Sequence, residues 1–357
     1  MKIRNMLGIA LLAGISIITM PAFAENEAGV HSDSRNTANV LSKDEAVNYN
    51  IQKLMEKGEE LLVENDYSGA IGVYSKVIAL SPNNAEAYNN RGVAYVALGN
   101  HQKAIEDYSK ALAIDPKDAD TYTNRGVAYH RHGSNQKAIE DFDKALAINP
   151  KDAEAYYRRG LVYLDLNKNQ QALADFDKVV AINSDYADAY NGRGIAYDKL
   201  GNHQQAIKDL DKAISLNPKY ADAYHNRGLI YAINGKNEQA IEDYSKAIEF
   251  KPDFAVALCN RACAYGEIGH YQQAIKDLDK AISLNSNYAD AYYNRGSAYN
   301  NLGDYQKAIA DYDKAISLNL NIAEAYRSRG NAYANIGKND LARADYEKAA
   351  KLEENNK

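Results

Sequence analysis

The chain carries 357 residues, 46% hydrophobic and 25% charged, proportions of an ordinary folded protein with room for one long or two compact domains. Its formal charge of −6, from 48 acidic against 42 basic side chains, leaves no basic stripe of the kind that displaces counterions from nucleic acid. Two cysteines, Cys259 and Cys263, are too few for a fold held together by disulfides.

Taken in chain order, residues 1–24 read as an export signal. Lys2 and Arg4 precede an apolar run from Met6 to Met20, and Ala22-Phe23-Ala24 supplies the small-x-small cleavage pattern, so the mature chain is expected to begin at Glu25. The run is shorter than the roughly 20 residues of a spanning helix, and polar sequence follows it. No cysteine stands near the cleavage site and no second apolar segment occurs, so neither a lipid anchor nor stable membrane insertion is expected after cleavage. Loss of Lys2 and Arg4 takes the charge from −6 to −8, because residues 1–24 contain no acid. The expected location is outside the cytoplasm, periplasmic or secreted. Residues 25–50 are polar and read as a flexible linker that turns helical from Lys43.

From residue 51 to 357 the sequence repeats every 34 residues, in nine rows starting at Ile51, Ala85, Ala119, Ala153, Ala187, Ala221, Ala255, Ala289 and Ala323. Numbering each row from 1, apolar spacings of three and four in both halves predict two amphipathic helices per row. Gly99 at position 15, and Asn167 in its place two rows on, supply a left-handed residue that ends the first helix. Pro82, Pro116, Pro150, Pro218 and Pro252 end the second. Gly92, Ala104 and Ala111, at positions 8, 20 and 27, are small enough to let two backbones approach.

This grammar resembles the tetratricopeptide repeat, whose period, small residues, aromatics and proline it matches over residues 51–357. Tyr stands for the family's Trp at position 4 in seven rows, and Arg for its Leu at position 7 in rows two to nine. The resemblance implies an all-α, right-handed superhelical solenoid of nine 34-residue helix-turn-helix repeats, with first helices lining the inner groove and second helices outside. Twenty of the 29 tyrosines fall at positions 4, 11 and 24, so they read as inward-facing packing and not as a base-stacking surface.

Antiparallel helices that turn near position 15 set positions summing to about 30 level with each other, so Arg at 7 should face position 23. Every Arg row has Asp there, from Asp107 to Asp345, whereas the row with Lys57 has Val73. A repeated, partly buried Arg-Asp pair is predicted, with acid binding as the other reading.

For function, the repeats hold no nucleophile elbow, phosphate loop, HExxH or Cys-x2-Cys pair, which leaves the groove as the site and no cofactor or catalysis expected. In the family, Asn at position 6 can hold the backbone of an extended peptide; here Asn90, Asn124, Asn226, Asn260 and Asn294 occupy it. An amide both donates and accepts, matching a peptide unit, but these side chains could equally tie adjacent helices together. The ladder breaks at Arg158, Gly192 and Ser328. Arg158 with His130, Arg131 and Tyr157 forms the one locally basic stretch, where a carboxylate could dock. The family's clamp for acidic tails is not reproduced: Asn124 and Arg158 fit it, but Asn89, Val93 and Glu154 do not. Cys259, Cys263 and His225 are soft ligands without a clear fourth, and read first as small groove-lining residues. At the C-terminus, Leu341, Tyr346 and Ala349 are expected on a partly uncovered face that could pair with a second copy. The expected function is a non-catalytic scaffold that binds other proteins or peptides in its groove, with self-association into a structural oligomer or filament as the alternative and a metal or redox protein behind it.

Overall fold

The structure, a computed structural model, describes residues 42–318 and 322–354. The expected signal and residues 25–41 of the expected linker lie outside the described residues. Among the described residues the regular elements are eighteen α-helices. First helices are α1 (Lys43–Val63), α3 (Ala85–Ala97), α5 (Ala119–Arg131), α7 (Ala153–Asp165), α9 (Ala187–Lys199), α11 (Ala221–Ile233), α13 (Ala255–Glu267), α15 (Ala289–Asn301) and α17 (Ala323–Asn335). Second helices are α2 (Tyr67–Leu80), α4 (His101–Ile114), α6 (Asn135–Ile148), α8 (Asn169–Ile182), α10 (His203–Leu216), α12 (Asn237–Phe250), α14 (Tyr271–Leu284), α16 (Tyr305–Ser317) and α18 (Asn339–Glu354). Nine helix-turn-helix repeats result, and α1 takes up residues 43–50 of the segment read as linker.

Local chemistry sets the helix ends. Asn84, Asn100, Asp118 and Asp152 accept from backbone N–H groups of the first turns that follow them, satisfying donors that have no partner inside the helix. At the other end, Gly99 takes φ +74°, and the Asn100 N–H reaches back to the Tyr95 carbonyl at 2.8 Å. Asn167 occupies the same place at φ +54°, where its short polar side chain tolerates the left-handed backbone.

The chain divides into two compact units, one up to Asn83 and one from Asn84. In the first, α1 and α2 pack over Tyr74, whose ring lies so near Gly58 that an added Cβ would come within 2.5 Å of it. In the second, each first helix packs on its own second helix and that helix on the next first helix, in series from α3 to α18. Successive first helices also touch, α3 with α5 through α15 with α17, and among the described residues no two successive second helices do. First helices therefore line the concave side of this unit and second helices its convex side.

Small residues make the stacking possible. Ala104, Ala138, Ala206 and their counterparts at position 20 are sealed, and Tyr108, Phe142, Phe176, Tyr244 and Tyr312 at position 24 are at most 1% exposed. Tyrosines at positions 4 and 11 are mostly half-buried, so the expectation of inward packing holds for position 24 in all but the last repeat and only in part for the others. In the last repeat, Tyr346 is 39% and Leu341 47% exposed, as expected for a partly uncovered face. Ala349 is a correction: at 2% exposure it is buried.

Candidate functional site: the ladders of the repeat array

The arginines at position 7 are the most regular polar feature. Arg91 reaches Asp107 through Nε at 2.7 Å and through its second amine at 2.8 Å, and all eight pairs repeat this bidentate geometry up to Arg329–Asp345. The aspartates are buried and the guanidiniums nearly so, which strengthens the pairs and removes the arginines from acid binding. Burial pushes the Asp243 and Asp175 carboxyls up while their arginines pull them back, and hydrogen bonds to aspartate hold Arg295 and Arg329 above the ordinary guanidinium range against that burial.

The third nitrogen does something the pairing rule did not foresee. It crosses to position 25 of the preceding repeat: Arg193 to Asp177 at 2.8 Å, Arg227 to Asp211 at 2.5 Å, Arg295 to Asp279 at 2.6 Å, and Arg125 and Arg261 to Ser109 and Ser245 at 3.0 Å. Half-buried tyrosines flank the same guanidiniums. Arg159 lies over Tyr156 and Tyr163, and Arg329 over Tyr326 and Tyr333, at 5.5 to 5.9 Å from ring centres. Positions 4, 7, 11, 23 and 25 form one structural network. Its signal in the sequence was Asp or Ser at position 25 of each repeat that precedes such an arginine, from Ser75 to Asp313.

On the concave side the asparagines at position 6 tie neighbouring first helices together. Asn124 donates to Asn89 Oδ1 at 3.1 Å, Asn226 to Asn191 Oδ1 at 2.9 Å, Asn260 pairs with His225 Nε2 at 2.9 Å, and Asn294 donates to Cys259 Sγ at 3.4 Å. Each partner stands at position 5 of the repeat before. Ser328, one of the breaks in the amide ladder, keeps the tie through Tyr293 at 3.4 Å. One tie uses a single one of the four hydrogen-bonding positions of an amide. Asn124, Asn226, Asn260 and Asn294 are half-buried, whereas Asn90 is only 4% exposed and accepts from Asn89, so it is closed to a ligand.

Within the basic stretch expected to meet a carboxylate, two side chains already have acidic partners of their own. Arg158 holds Glu154 at 2.6 Å, and His130 holds Asp165 at 2.6 Å, both chosen from the same inner face. Tyr157 lies beneath Arg158 and against Tyr186, whose hydroxyl donates to Glu154 at 2.6 Å. Arg131 alone of the group makes no ion pair among the described residues, and desolvation and Arg158 together lower its affinity for a proton.

His225 sits between the Phe254 and Tyr244 rings, and burial lowers its pKa to about 4. Cys259 is buried and Cys263 half-buried, both as free thiols. Among the described residues no three His, Cys, Asp or Glu side chains converge on a metal position, so His225 does not join the two cysteines. Sequence reasoning passed over the half-buried acids at position 2, Asp188, Asp222 and Asp290, recurrent on this face; burial pushes the last two carboxyls up. No helix among the described residues is long and apolar enough to cross a membrane.

Helical hairpins in series with a concave face of first helices define a repeat scaffold. The chain belongs to the tetratricopeptide repeat family: profiles of that repeat match residues 119–152, 187–220, 221–254 and 289–321, and related ones extend the cover over 58–321 and 323–356. Members are in general protein-protein interaction scaffolds. Among curated proteins, 84 residues are 36% identical to the Outer envelope protein 64, chloroplastic, of Arabidopsis thaliana, covering 24% of this chain and 14% of that protein. The chain thus spans a small fraction of that relative. A tetratricopeptide repeat protein from Parabacteroides merdae superimposes with TM-score 0.55 at 23% identity, over 70% of this chain and 98% of its own. Cut9-Hcn1 of the APC/C gives TM-score 0.60 at 18% identity, over 78% of this chain and 55% of that one; both likenesses concern the fold.

Proposed function

We propose that the protein is a non-catalytic adaptor that holds extended polypeptide segments along the concave face of its second unit, outside the cytoplasm. The carrying observation is the row of half-buried amides, Asn124, Asn226, Asn260 and Asn294, on first helices that touch side by side. A peptide backbone lying across Asn226, Asn260 and Asn294 finds donors and acceptors at intervals of one repeat, which favours affinity without strict sequence choice. Export rests on the Lys2, Arg4, Met6–Met20 and Ala22-Phe23-Ala24 pattern.

Crosslinking in the source cell identifies the partners, and fluorescence polarisation with peptides cut from them measures binding. Replacing Asn226 and Asn260 together by Ala is expected to weaken binding about tenfold or more, with two charge-neutral hydrogen bonds lost. A double variant that melts lower yet binds equally well shows ties without a ligand role, and the reading fails. Mass spectrometry of the mature protein tests export, for which a chain starting at Glu25 is expected. A second reading, end-to-end pairing of copies, draws on exposed Leu341 and Tyr346. It requires dimers in light scattering that Tyr346→Ser abolishes.

A further inference from the structure

Helix α13 departs from the other first helices at several groove-side positions together. Val256 stands where most repeats carry an acid, Cys259 and Cys263 occupy positions 5 and 9, and Gly266 follows at position 12. A Cβ on Gly266 would meet nothing within 4 Å, so the groove is open one turn beyond Cys263. Cys259 Sγ accepts from Asn294 Nδ2 at 3.4 Å and from the Tyr288 hydroxyl, donors that arrive from α15 and the residue before it. Cys259 also accepts from the Cys263 thiol, so the two sulfurs lie within hydrogen-bond reach of each other, and the donors around them resemble the polar groups set around a metal-bound sulfur.

The spacing decides what two such sulfurs can do. Side chains at i and i+4 of a helix have Cβ atoms about 5–6 Å apart. A disulfide needs about 3.5–4.5 Å, with Cβ vectors that converge, so direct bonding requires the helix to open. One atom placed between the sulfurs makes up the difference. Thiolates select soft cations, and with no third His, Cys, Asp or Glu converging among the described residues, a cation content with two ligands in line is the one that fits. His225 Nε2 is engaged by Asn260 at 2.9 Å and stays outside this set.

We propose that Cys259 and Cys263 form a two-coordinate site for a soft monovalent cation of the copper(I) and silver(I) class. On binding, both S–H bonds break, two S–metal bonds form, two protons pass to solvent, and no electron is transferred. The complex carries one net negative charge, and Glu267 and Asp290 nearby add a potential that favours the incoming cation over an anion. Affinity rises with pH, because protons and metal compete for the same sulfurs.

The full chain, reduced and metal-free, is titrated with copper(I) against a chromogenic chelator, and the sulfur-to-copper absorption is followed in the ultraviolet. One copper(I) per chain is expected. Cys259→Ala and Cys263→Ser are each expected to lose about 100-fold or more in affinity, since either leaves a sulfur without its intramolecular partner. Circular dichroism establishes that both variants remain helical, and Cys263→Ser, at the more exposed thiol, keeps the test open should Cys259→Ala misfold. His225→Asn is expected to leave binding unchanged. Two copper ions per chain, an affinity equal in wild type and both single variants, or dependence on His225 would overturn the two-coordinate site.

Discussion

At the scale of single residues, the Arg-Asp pairs show how burial and pairing trade against each other. Desolvating two charges costs several kcal/mol, and the pair repays it only while both partners stay in place. Asp277→Ala leaves Arg261 with Ser245 alone, whereas Asp243→Ala leaves Arg227 with the Asp211 carboxylate at 2.5 Å. Both substitutions should lower the urea midpoint, Asp277→Ala by about 3 kcal/mol of stability and Asp243→Ala by about 1 kcal/mol less. Equal losses would show that the bridge to the preceding repeat contributes nothing. His225 supplies a pH dependence whose sign follows from its environment. Its folded pKa is about 4, because burial between Phe254 and Tyr244 disfavours the imidazolium and Lys251 adds to the effect, while the unfolded value is about 6.5. The unfolded chain therefore binds the proton first as pH falls, so stability present above pH 6.5 drains away between about 6.5 and 4, by about 3 kcal/mol. His225→Asn keeps an acceptor for Asn260, as Asn191 does for Asn226, and removes the titration. Melting temperatures of wild type minus variant should fall across that window, and a flat difference would refute the assignment.

At the scale of the helical hairpin, position 8 and position 24 are chosen together. Gly228 faces Tyr244, and an added Cβ would come within 2.8 Å of the ring; Gly194 faces Leu210, with the nearest atom at 3.0 Å. In α13 the chain carries Ala262 at position 8 opposite Leu278, the same partner type as Leu210, so a methyl group there is already accommodated. Gly228→Ala should cost about 1–3 kcal/mol through overpacking, Gly194→Ala close to nothing, and Gly266→Ala should gain up to about 1 kcal/mol in open space. Urea unfolding of the three variants checks the order. How much of this was legible varies with the kind of residue. The hairpins, their glycine and proline punctuation and the Arg-Asp pairs could be read because nine copies align, and because Lys57 with Val73 breaks both halves of the pair at once. The Asn ties were open between two readings, because the position-5 partner is not constant: Asn89 and Asn191 in two repeats, but His225, Cys259 and Tyr293 in others. The basic stretch was legible only in part, for a related reason. A run of cations shows on one line of sequence, but Glu154 and Asp165, which partner Arg158 and His130, reach them only through helix geometry and the step to the next repeat.

At the scale of the second unit, stability is a sum over hairpins plus terms for the interfaces between neighbours, and the size of the interface term decides whether the array unfolds together. Those interfaces hold two components. One is apolar and sealed, as where Tyr312 packs with Ala308 and Ala332 of the following repeat. The other is the guanidinium bridge to Asp143, Asp177, Asp211, Asp279 and Asp313, carboxylates 50 to 53% exposed. Exposed ion pairs contribute about 0–1 kcal/mol and are screened by salt, so any one bridge matters little to total stability. In a linear array the same small term enters at each of these five junctions, and it acts on cooperativity before it acts on the midpoint. Ser109 and Ser245 stand at two of these positions already and still accept from arginine at 3.0 Å, which makes Asp→Ser a substitution that keeps the geometry and removes the charge. Replacing Asp177, Asp211 and Asp279 together by Ser should therefore leave the apparent melting temperature within a few degrees while broadening the transition. The ratio of van't Hoff to calorimetric enthalpy should fall below its wild-type value at low salt, and the wild type itself should approach the variant in molar sodium chloride. An equally sharp transition in variant and wild type at every salt concentration would mean that the apolar interfaces alone couple the repeats.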